Sequence, residues 1–423
     1  MIKVDKSDLL ALGIAFLCLM IRLLFFDWIY FEPLLNNWLP ESFDRRALAI
    51  VEGKKVFYLT GWASYPLFLA LFYKLLKFLN LISERFYWTG VLNASLGSIS
   101  AYLLAQIMKQ LFPGRLILSA CIGFLYILYY PAIYFSALNL SENFFTPLFM
   151  ALIWFVILYQ AKPDWKLGLI TGLLSGIAVA IRPLLLSFLP LLILWLAFPW
   201  KKKLYLTSTQ FVPAFLVSIL SILLGVSFIN SKIDFKGNFN FSGNSGINAT
   251  LAWCEPSKIS YHAPDGSSFW FRPPVFKNDR KNYPEMRTAV PFERADYYYM
   301  LAWNCIKQKP SRLISNLGHS LNIFEGYFYP DFDVWEAHGG IIKFWKFLTL
   351  LFLAFMLVYP WLDPEGLRNW CLGIFILFSL VAVVYLSNPG EERYLAPYHF
   401  VLLIWGVRGL SLFARGLLPP QKT

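Results

Sequence analysis

Residues 36–79 read NNWLPESFDRRALAIVEGKKVFYLTGWASYPLFLALFYKLLKFL, and their reading decides how the chain is threaded through a bilayer. They follow the first apolar run and carry a short acidic cluster, Glu41 and Asp44. A helical pattern ending at Gly53, the lysines Lys54 and Lys55, and a Tyr-Pro pair (Tyr65, Pro66) come next, and the pair opens a second apolar stretch. That stretch, 66–79, has about 14 residues, short of the roughly 20 that a spanning helix needs. Lys74 and Lys77 stand three apart on one helical face. Length and charge together predict a helix lying in the interface, not across the membrane.

Working outward, the 423 residues are 58% hydrophobic and 19% aromatic but only 15% charged. A soluble chain carries about 25% charged residues, so the composition points to a multispanning membrane protein. The net charge of +12 does not indicate nucleic-acid binding. Its basic residues fall in short clusters between apolar runs, which is how spans are oriented in a bilayer. Ten runs approach spanning length: 8–29, 88–108, 116–138, 143–160, 167–182, 183–199, 208–229, 342–362, 369–387 and 395–413. If 66–79 lies flat, Lys3, Lys6, Lys109/Arg115, Lys162/Lys166, Lys201–Lys203, Arg368 and Arg415/Lys422 all fall on one side. If it spans, the three middle clusters move opposite the N-terminus. The positive-inside rule therefore favours ten spans with both termini cytoplasmic. The expected fold is an all-α polytopic membrane protein, a single domain over 1–423, with about ten transmembrane helices. Interfacial helices are expected in two large outer loops, 30–87 and 230–341.

That topology places 30–87, 139–142, 182–183, 230–341 and 388–394 outside. The stretch Phe292–Phe328 has helical spacing with a break at Pro310, which predicts two short helices lying on the membrane. A structureless loop as long as 230–341 would be unusual. The N-terminus lacks a small-residue cleavage site and reads as an uncleaved first span. Cys18, Cys121 and Cys371 lie in apolar runs as small hydrophobes. Cys254 and Cys305 share the long outer loop and can pair if it faces an oxidising compartment. No CxxC or Cys/His spacing for a metal occurs, and the four histidines are scattered.

The candidate chemical groups gather on the outer side. Asp44 or Glu41 is either a general base for an acceptor nucleophile or a charge stabilising the start of the helix that follows. Glu142, in NLSENFFTPLF, is either a helix-start acid or a carboxylate facing a cavity. Arg182, before Pro183, and Arg393, followed by Tyr394, either grip a lipid phosphate or snorkel to headgroups. Lys54, Lys55 and Tyr58 are candidate substrate contacts, the lysines having a solvated role as the alternative. Arg22 is read as snorkelling or pairing with Asp27.

The order of these features resembles the GT-C superfamily of integral-membrane glycosyltransferases, especially bacterial protein mannosyltransferase-like enzymes and lipid A aminoarabinose transferases. The features are an Arg-bearing first span, an acidic cluster before an A-x-x-x-x-x-G helix (Ala47, Gly53) and a Pro-opened interfacial helix. A Ser-Glu at a span start (Ser141, Glu142), a Gly-rich span ending in Arg-Pro (Arg182, Pro183) and a final Arg-Tyr-x-x-Pro (Arg393, Tyr394, Pro397) complete the order. The similarity covers most of 8–230 and the last 30 residues. The long loop matches only in a G-x-N turn (Gly246, Asn248) and its juxtamembrane helices.

The resemblance implies that Asp44, or Glu41 in another register, is the catalytic carboxylate of the first loop. It likewise implies that Glu142 is the second-loop acid and that Arg182 and Arg393 lie near the lipid phosphate. The tyrosine that often follows the family's first acid is missing here. Ala63-Ser64-Tyr65 replaces the Glu-Lys of the aminoarabinose branch, so no acceptor is assigned.

The implied reaction is inverting transfer of a sugar from a polyprenyl-phosphate donor to a glycan, lipid or protein acceptor. It would run on the periplasmic face of a bacterial inner membrane, with no cofactor required and a divalent cation as an option. A lipid or sugar transporter is the alternative, and it predicts an inverted repeat and charges at the bilayer midplane.

Overall fold

The computed structural model describes residues 5–30, 41–54, 64–161, 164–197, 202–233, 249, 253–254, 291–321, 324, 332–387 and 395–417. Every regular element among them is helical. The first helix, α1, runs Lys6–Tyr30, and Asp5 caps it by accepting from the backbone N–H groups of Ser7 (2.8 Å) and Asp8 (2.9 Å). Three helices follow: α2 is Glu41–Val51, α3 is Ser64–Phe78 and α4 is Arg85–Leu111.

Two left-handed residues punctuate this region. Gly53, at φ 71°, ends α2: its N–H bonds Ile50 O, while the Lys54 N–H reaches back to Ala49 O at 2.8 Å. Asn80, at φ 60°, ends α3 with the same double bond pattern, Asn80 N–H to Lys77 O and Leu81 N–H to Leu76 O. Glycine and asparagine are the residues that tolerate this helix-closing geometry.

The α1–α4 pair fixes the threading. Ser98 donates to Ala15 O (2.7 Å), Gln106 to Asp8 (3.3 Å), and Lys109 pairs with Asp5 (2.8 Å) and Asp8 (2.9 Å). Near the other end, the Phe26 ring packs against Gly90. The two helices are therefore antiparallel, and α4 starts at the end where α1 stops. We call this the outer end, and the end holding the chain's start the inner end. Residues 30 and 85 thus both lie at the outer end, and α3 stands between them in the chain. Its 15 residues extend only about 22 Å, against a hydrocarbon core of about 30 Å. Leu69, Ala70, Tyr73 and Leu76 bury its inner face against α2, while Leu71, Lys74, Leu75, Lys77 and Phe78 face out. That outward face mixes apolar and basic side chains.

The chain continues through α5 (Leu116–Ile127), α6 (Tyr130–Ser136), α7 (Ser141–Ala161), α8 (Trp165–Ile181), α9 (Phe188–Ala197) and α10 (Lys202–Ile233). Last come α11 (Pro291–Gln308), α12 (Arg312–Leu321), α13 (Phe332–Leu362), α14 (Leu367–Ser387) and α15 (His399–Leu417). Seven of these are long and apolar enough to cross a membrane: α1, α4, α7, α10, α13, α14 and α15. The run expected over 116–138 is instead a helix pair, α5 and α6, bent by 50°; counted as one span it is the eighth. Pro131 sits in the first turn of α6, where it is tolerated, but it cannot continue α5. The runs expected at 167–182 and 183–199 are short helices, because Pro183 drives Arg182 into an extended conformation (φ −139°, ψ 94°) and breaks the path there.

The core lies among α4, α7, α8, α9, α14 and α15. Gly172 and Gly176 let α8 approach the α10 backbone at Phe215 and Ile219, as small residues do between membrane helices. Leu12, Phe16 and Leu24 of α1 and Val217, Leu220 and Leu224 of α10 point outward. Such an apolar belt is what a lipid-facing rim requires. Together these features make the chain a multi-pass α-helical membrane protein.

In the long loop, α11 and α12 flank Pro310, and Cys254 and Cys305 form a disulfide. Trp253 donates to Leu386 O (3.0 Å), Arg312 to Trp253 O (2.8 Å) and Tyr385 to Leu313 O (3.0 Å). These bonds hold the loop helices at the outer end of α14. Leu313, Ile314, Leu317 and Leu321 form an exposed apolar stripe on α12.

Candidate functional site

Two ion pairs lie near one another at the outer end, each built on an acid singled out above. The first is Asp44. The α2 helix turns it inward, and it is only 3% exposed. Arg85, at the start of α4, grips both carboxylate oxygens, with Nε–Oδ1 at 2.9 Å and Nη2–Oδ2 at 3.3 Å. The Tyr73 hydroxyl also donates to Oδ1, at 2.9 Å. Burial, then the neighbouring Asp44 charge, pushes the Tyr73 phenol well above its ordinary range. The Arg85 guanidinium in turn stacks 4.4 Å from the Phe86 ring.

The second pair is Glu142–Arg182, 3.2 Å apart, with side chains 6% and 3% exposed. Glu142 sits in the first turn of α7, and the Ser141 hydroxyl donates to its Oε2 at 3.2 Å. Asn143 anchors the preceding turn by donating to Phe135 O and Leu138 O, both at 2.8 Å, and Asn93 of α4 donates to Leu138 O at 3.0 Å. Because Arg182 stands outside α8 in extended conformation, its side chain turns into the bundle, 5.7 Å from the Phe145 ring.

Tyr65, the first buried residue of α3, is within electrostatic reach of Glu142 and of Tyr73, the residue that bonds Asp44. Its hydroxyl is buried with no hydrogen-bond partner among the described residues. Burial raises its pKa well above the ordinary value, and the nearby Tyr73 and Glu142 add to this. Phe68 of α3 stacks on Phe144 of α7, centroids 3.7 Å apart, fixing α3 beside the start of α7.

Arg22 corrects the sequence expectation. It neither snorkels nor pairs with Asp27, which is exposed; Arg22 is 3% exposed inside the bundle. Its Nη1 donates to Ala132 O at 3.0 Å, and its guanidinium lies 5.9 Å from the Tyr126 ring. Nε and Nη2 are buried without a hydrogen-bond partner among the described residues. Gly97 on α4 makes the room, since a methyl group there would strike the guanidinium. A cavity of about 20 Å³ lies beside Arg22 and is also lined by Ser100, Tyr126, Glu142, Asn143 and Thr146. That is space for a water molecule, with polar partners enough to hold one.

The remaining candidates divide. Lys54 is exposed and pairs with Glu52 at 2.6 Å. Glu41 opens α2, and its side chain lies outside the described residues, as do Lys55, Tyr58, Arg393 and Tyr394. Ala396, three residues after Arg393 in sequence, lines the Arg22 cavity. Asp44 and Glu142 each face an arginine, so as they stand they do not form a donor set for a divalent cation. No three His, Cys, Asp or Glu side chains among the described residues form a metal-binding group.

Sequence reasoning missed Arg85 and misread Arg22. The available signals were an arginine at the very start of a span and the pair Gly90 and Gly97, seven apart on one face of α4. No family model, no curated protein and no solved structure matches the chain.

Proposed function

We propose that the chain is an integral-membrane glycosyltransferase of the GT-C type. It moves a sugar from a polyprenyl-phosphate donor to a glycan, lipid or protein acceptor, with inversion, at the outer end of the bundle. In this reading the seven long helices, the bent α5–α6 pair, α8 and the 183–197 segment make ten crossings. The protein lies in a bacterial inner membrane with its site toward the periplasm. The observation that carries the reading is the presence at that end of two buried carboxylate–arginine pairs, with the buried Tyr65 hydroxyl in electrostatic reach of Glu142 and of the tyrosine that bonds Asp44. Charged groups are retained at membrane depth where they face a pathway or a reacting ligand.

The acceptor's nucleophile attacks the anomeric carbon while the bond to the phosphate oxygen breaks. The electron pair leaves with the polyprenyl phosphate, and Asp44, or Glu41, takes the nucleophile's proton. Arg182, with Arg393, neutralises the departing phosphate, and Glu142 holds Arg182 in position for it. No cofactor is required. The test is transfer from a labelled polyprenyl-phosphate sugar in isolated membranes. Asp44→Asn abolishes transfer while the protein still accumulates; undiminished turnover removes Asp44 from the chemistry and moves the role to Glu41.

A second reading, a lipid or sugar transporter, draws on Arg22 and Glu142 lining an internal cavity. Uptake of the labelled lipid's headgroup into sealed vesicles without any new glycosidic bond would favour it.

A further inference from the structure

The inner end of the bundle carries a basic group that the reaction above does not use. Arg115 lies between α4 and α5, and Arg408 and Arg415 lie on α15. The Arg408 guanidinium lies 5.3 Å from the Phe112 ring centroid, the Arg115 N–H donates to Phe112 O at 3.2 Å, and Arg415 stands two turns after Arg408 on one face of α15; Asp363, which precedes α14, is within electrostatic reach of Arg115. Burial, followed by the charges of Arg408 and Arg415, lowers the Arg115 pKa from its usual value. The guanidinium groups therefore repel one another.

Asp363 does not balance them. Its Oδ2 accepts from the Tyr359 hydroxyl at 2.8 Å, its Oδ1 from the Gly366 N–H at 3.3 Å, and Arg408 Nη2 lies 3.5 Å from Oδ2. Its acceptor sites are largely taken before Arg115 or Arg415 is considered. Arg408 is 5% exposed, and its Nε and Nη1 are buried without a hydrogen-bond partner among the described residues. Buried guanidinium N–H groups left unpaired are costly. Lys109, by contrast, is satisfied at the same end by Asp5 and Asp8.

We propose that Arg115, Arg408 and Arg415 form a binding site for the phosphate of an anionic membrane lipid. A phosphate diester offers the acceptor oxygens and the negative charge that this group lacks. A lipid is its source because the surroundings are apolar: Leu116, Ile117 and Phe413, neighbours of Arg115 and Arg415 in sequence, are exposed, Ile117 by 83%. Acyl chains can lie against these side chains while the headgroup meets the arginines. The end concerned is also the one that positive-inside reasoning assigns to the cytoplasm, where basic pockets between spans hold anionic headgroups. The site is independent of the transfer reaction.

The test uses the full chain in nanodiscs of phosphatidylcholine alone or with added phosphatidylglycerol. It reads retained lipid by native mass spectrometry and the rise in unfolding temperature. The wild type retains phosphatidylglycerol selectively. The double variant Arg115→Gln/Arg415→Gln, altered at two positions outside the core, loses roughly fivefold in apparent affinity per arginine, about 25-fold together. Lys166→Gln, an exposed charge at the same end, leaves the preference unchanged. Arg408→Gln adds a further loss if it folds, and the double variant decides the matter if it does not. An undiminished preference in the double variant, or an equal loss in Lys166→Gln, overturns the site. If inorganic phosphate in a phosphatidylcholine disc reproduces the full stabilisation, the ligand is free phosphate and the lipid assignment falls.

Discussion

Removing the charge of Glu142 tests how firmly the outer-end site depends on its buried pair. With side chains only 6% and 3% exposed, Glu142 and Arg182 are outside the regime of surface bridges, which contribute about 0–1 kcal/mol. At their 3.2 Å separation, an effective dielectric of about 20 gives a gross attraction of about 5 kcal/mol. Truncating one partner of a buried pair costs about 3–5 kcal/mol, because the other charge is left without compensation. Glu142→Gln takes away the carboxylate that faces Arg182, which is also the carboxylate lining the cavity beside Arg22. The expected loss is about 3–5 kcal/mol for Glu142→Gln and a similar amount for Arg182→Met. The double variant should lose clearly less than the sum, since two apolar or neutral groups can pack where two charges stood. Reversible denaturant unfolding in mixed micelles, followed by tryptophan fluorescence, measures all four corners of the cycle. Single losses below about 1 kcal/mol, or a double variant additive within about 0.5 kcal/mol, would refute the claim that the pair is buried and mutually dependent.

Four further outcomes follow from the structure. Tyr73 has a raised pKa, so its neutral form belongs to the fold; the stability it confers is whole below the ordinary tyrosine value of about 10 and is lost as pH rises above it. Tyr73→Phe should flatten the alkaline loss of stability, and unfolding midpoints between pH 9 and 11 check it. Gly97→Val should displace Arg22 and destabilise by at least about 2 kcal/mol, seen in the same unfolding assay. Cys305→Ser opens a cross-link spanning 51 residues and should cost up to about 4 kcal/mol, with earlier proteolysis of the α11–α12 region as the readout. In a cysteine-free background, Lys54→Cys and Lys77→Cys, on either side of α3 in sequence, should react with an impermeant thiol reagent from the same face of the membrane; labelling from opposite faces would place α3 across the bilayer.

What could be read in the sequence was whatever depends on neighbours along the chain. The length of 66–79, its lysine spacing and the Asn80 that closes it are local, and a short helix stands there. The same holds for the break at Pro310 and for Glu142 in a first helical turn. The contacts that define the site are not local. Arg85 meets Asp44 across 41 residues, and Arg22 meets Ala132 across 110. An arginine in an apolar run looks alike whether it snorkels outward or turns inward; only the groove that Gly90 and Gly97 open on α4 decides it. The ten apolar runs were visible, but their continuity was not, since hydropathy does not register the turn that Pro183 imposes on Arg182.

The return of the chain at residue 85 to the end it left at residue 30 has a consequence for parity. The segment between them contributes an even number of passages, so the orientation of every later helix is indifferent to it. Residues 31–84 could be lengthened, exchanged or deleted and the downstream helices would still insert the same way up. What such a change would remove is the carboxylate that Arg85 now holds, together with the Tyr73 hydroxyl that bonds it.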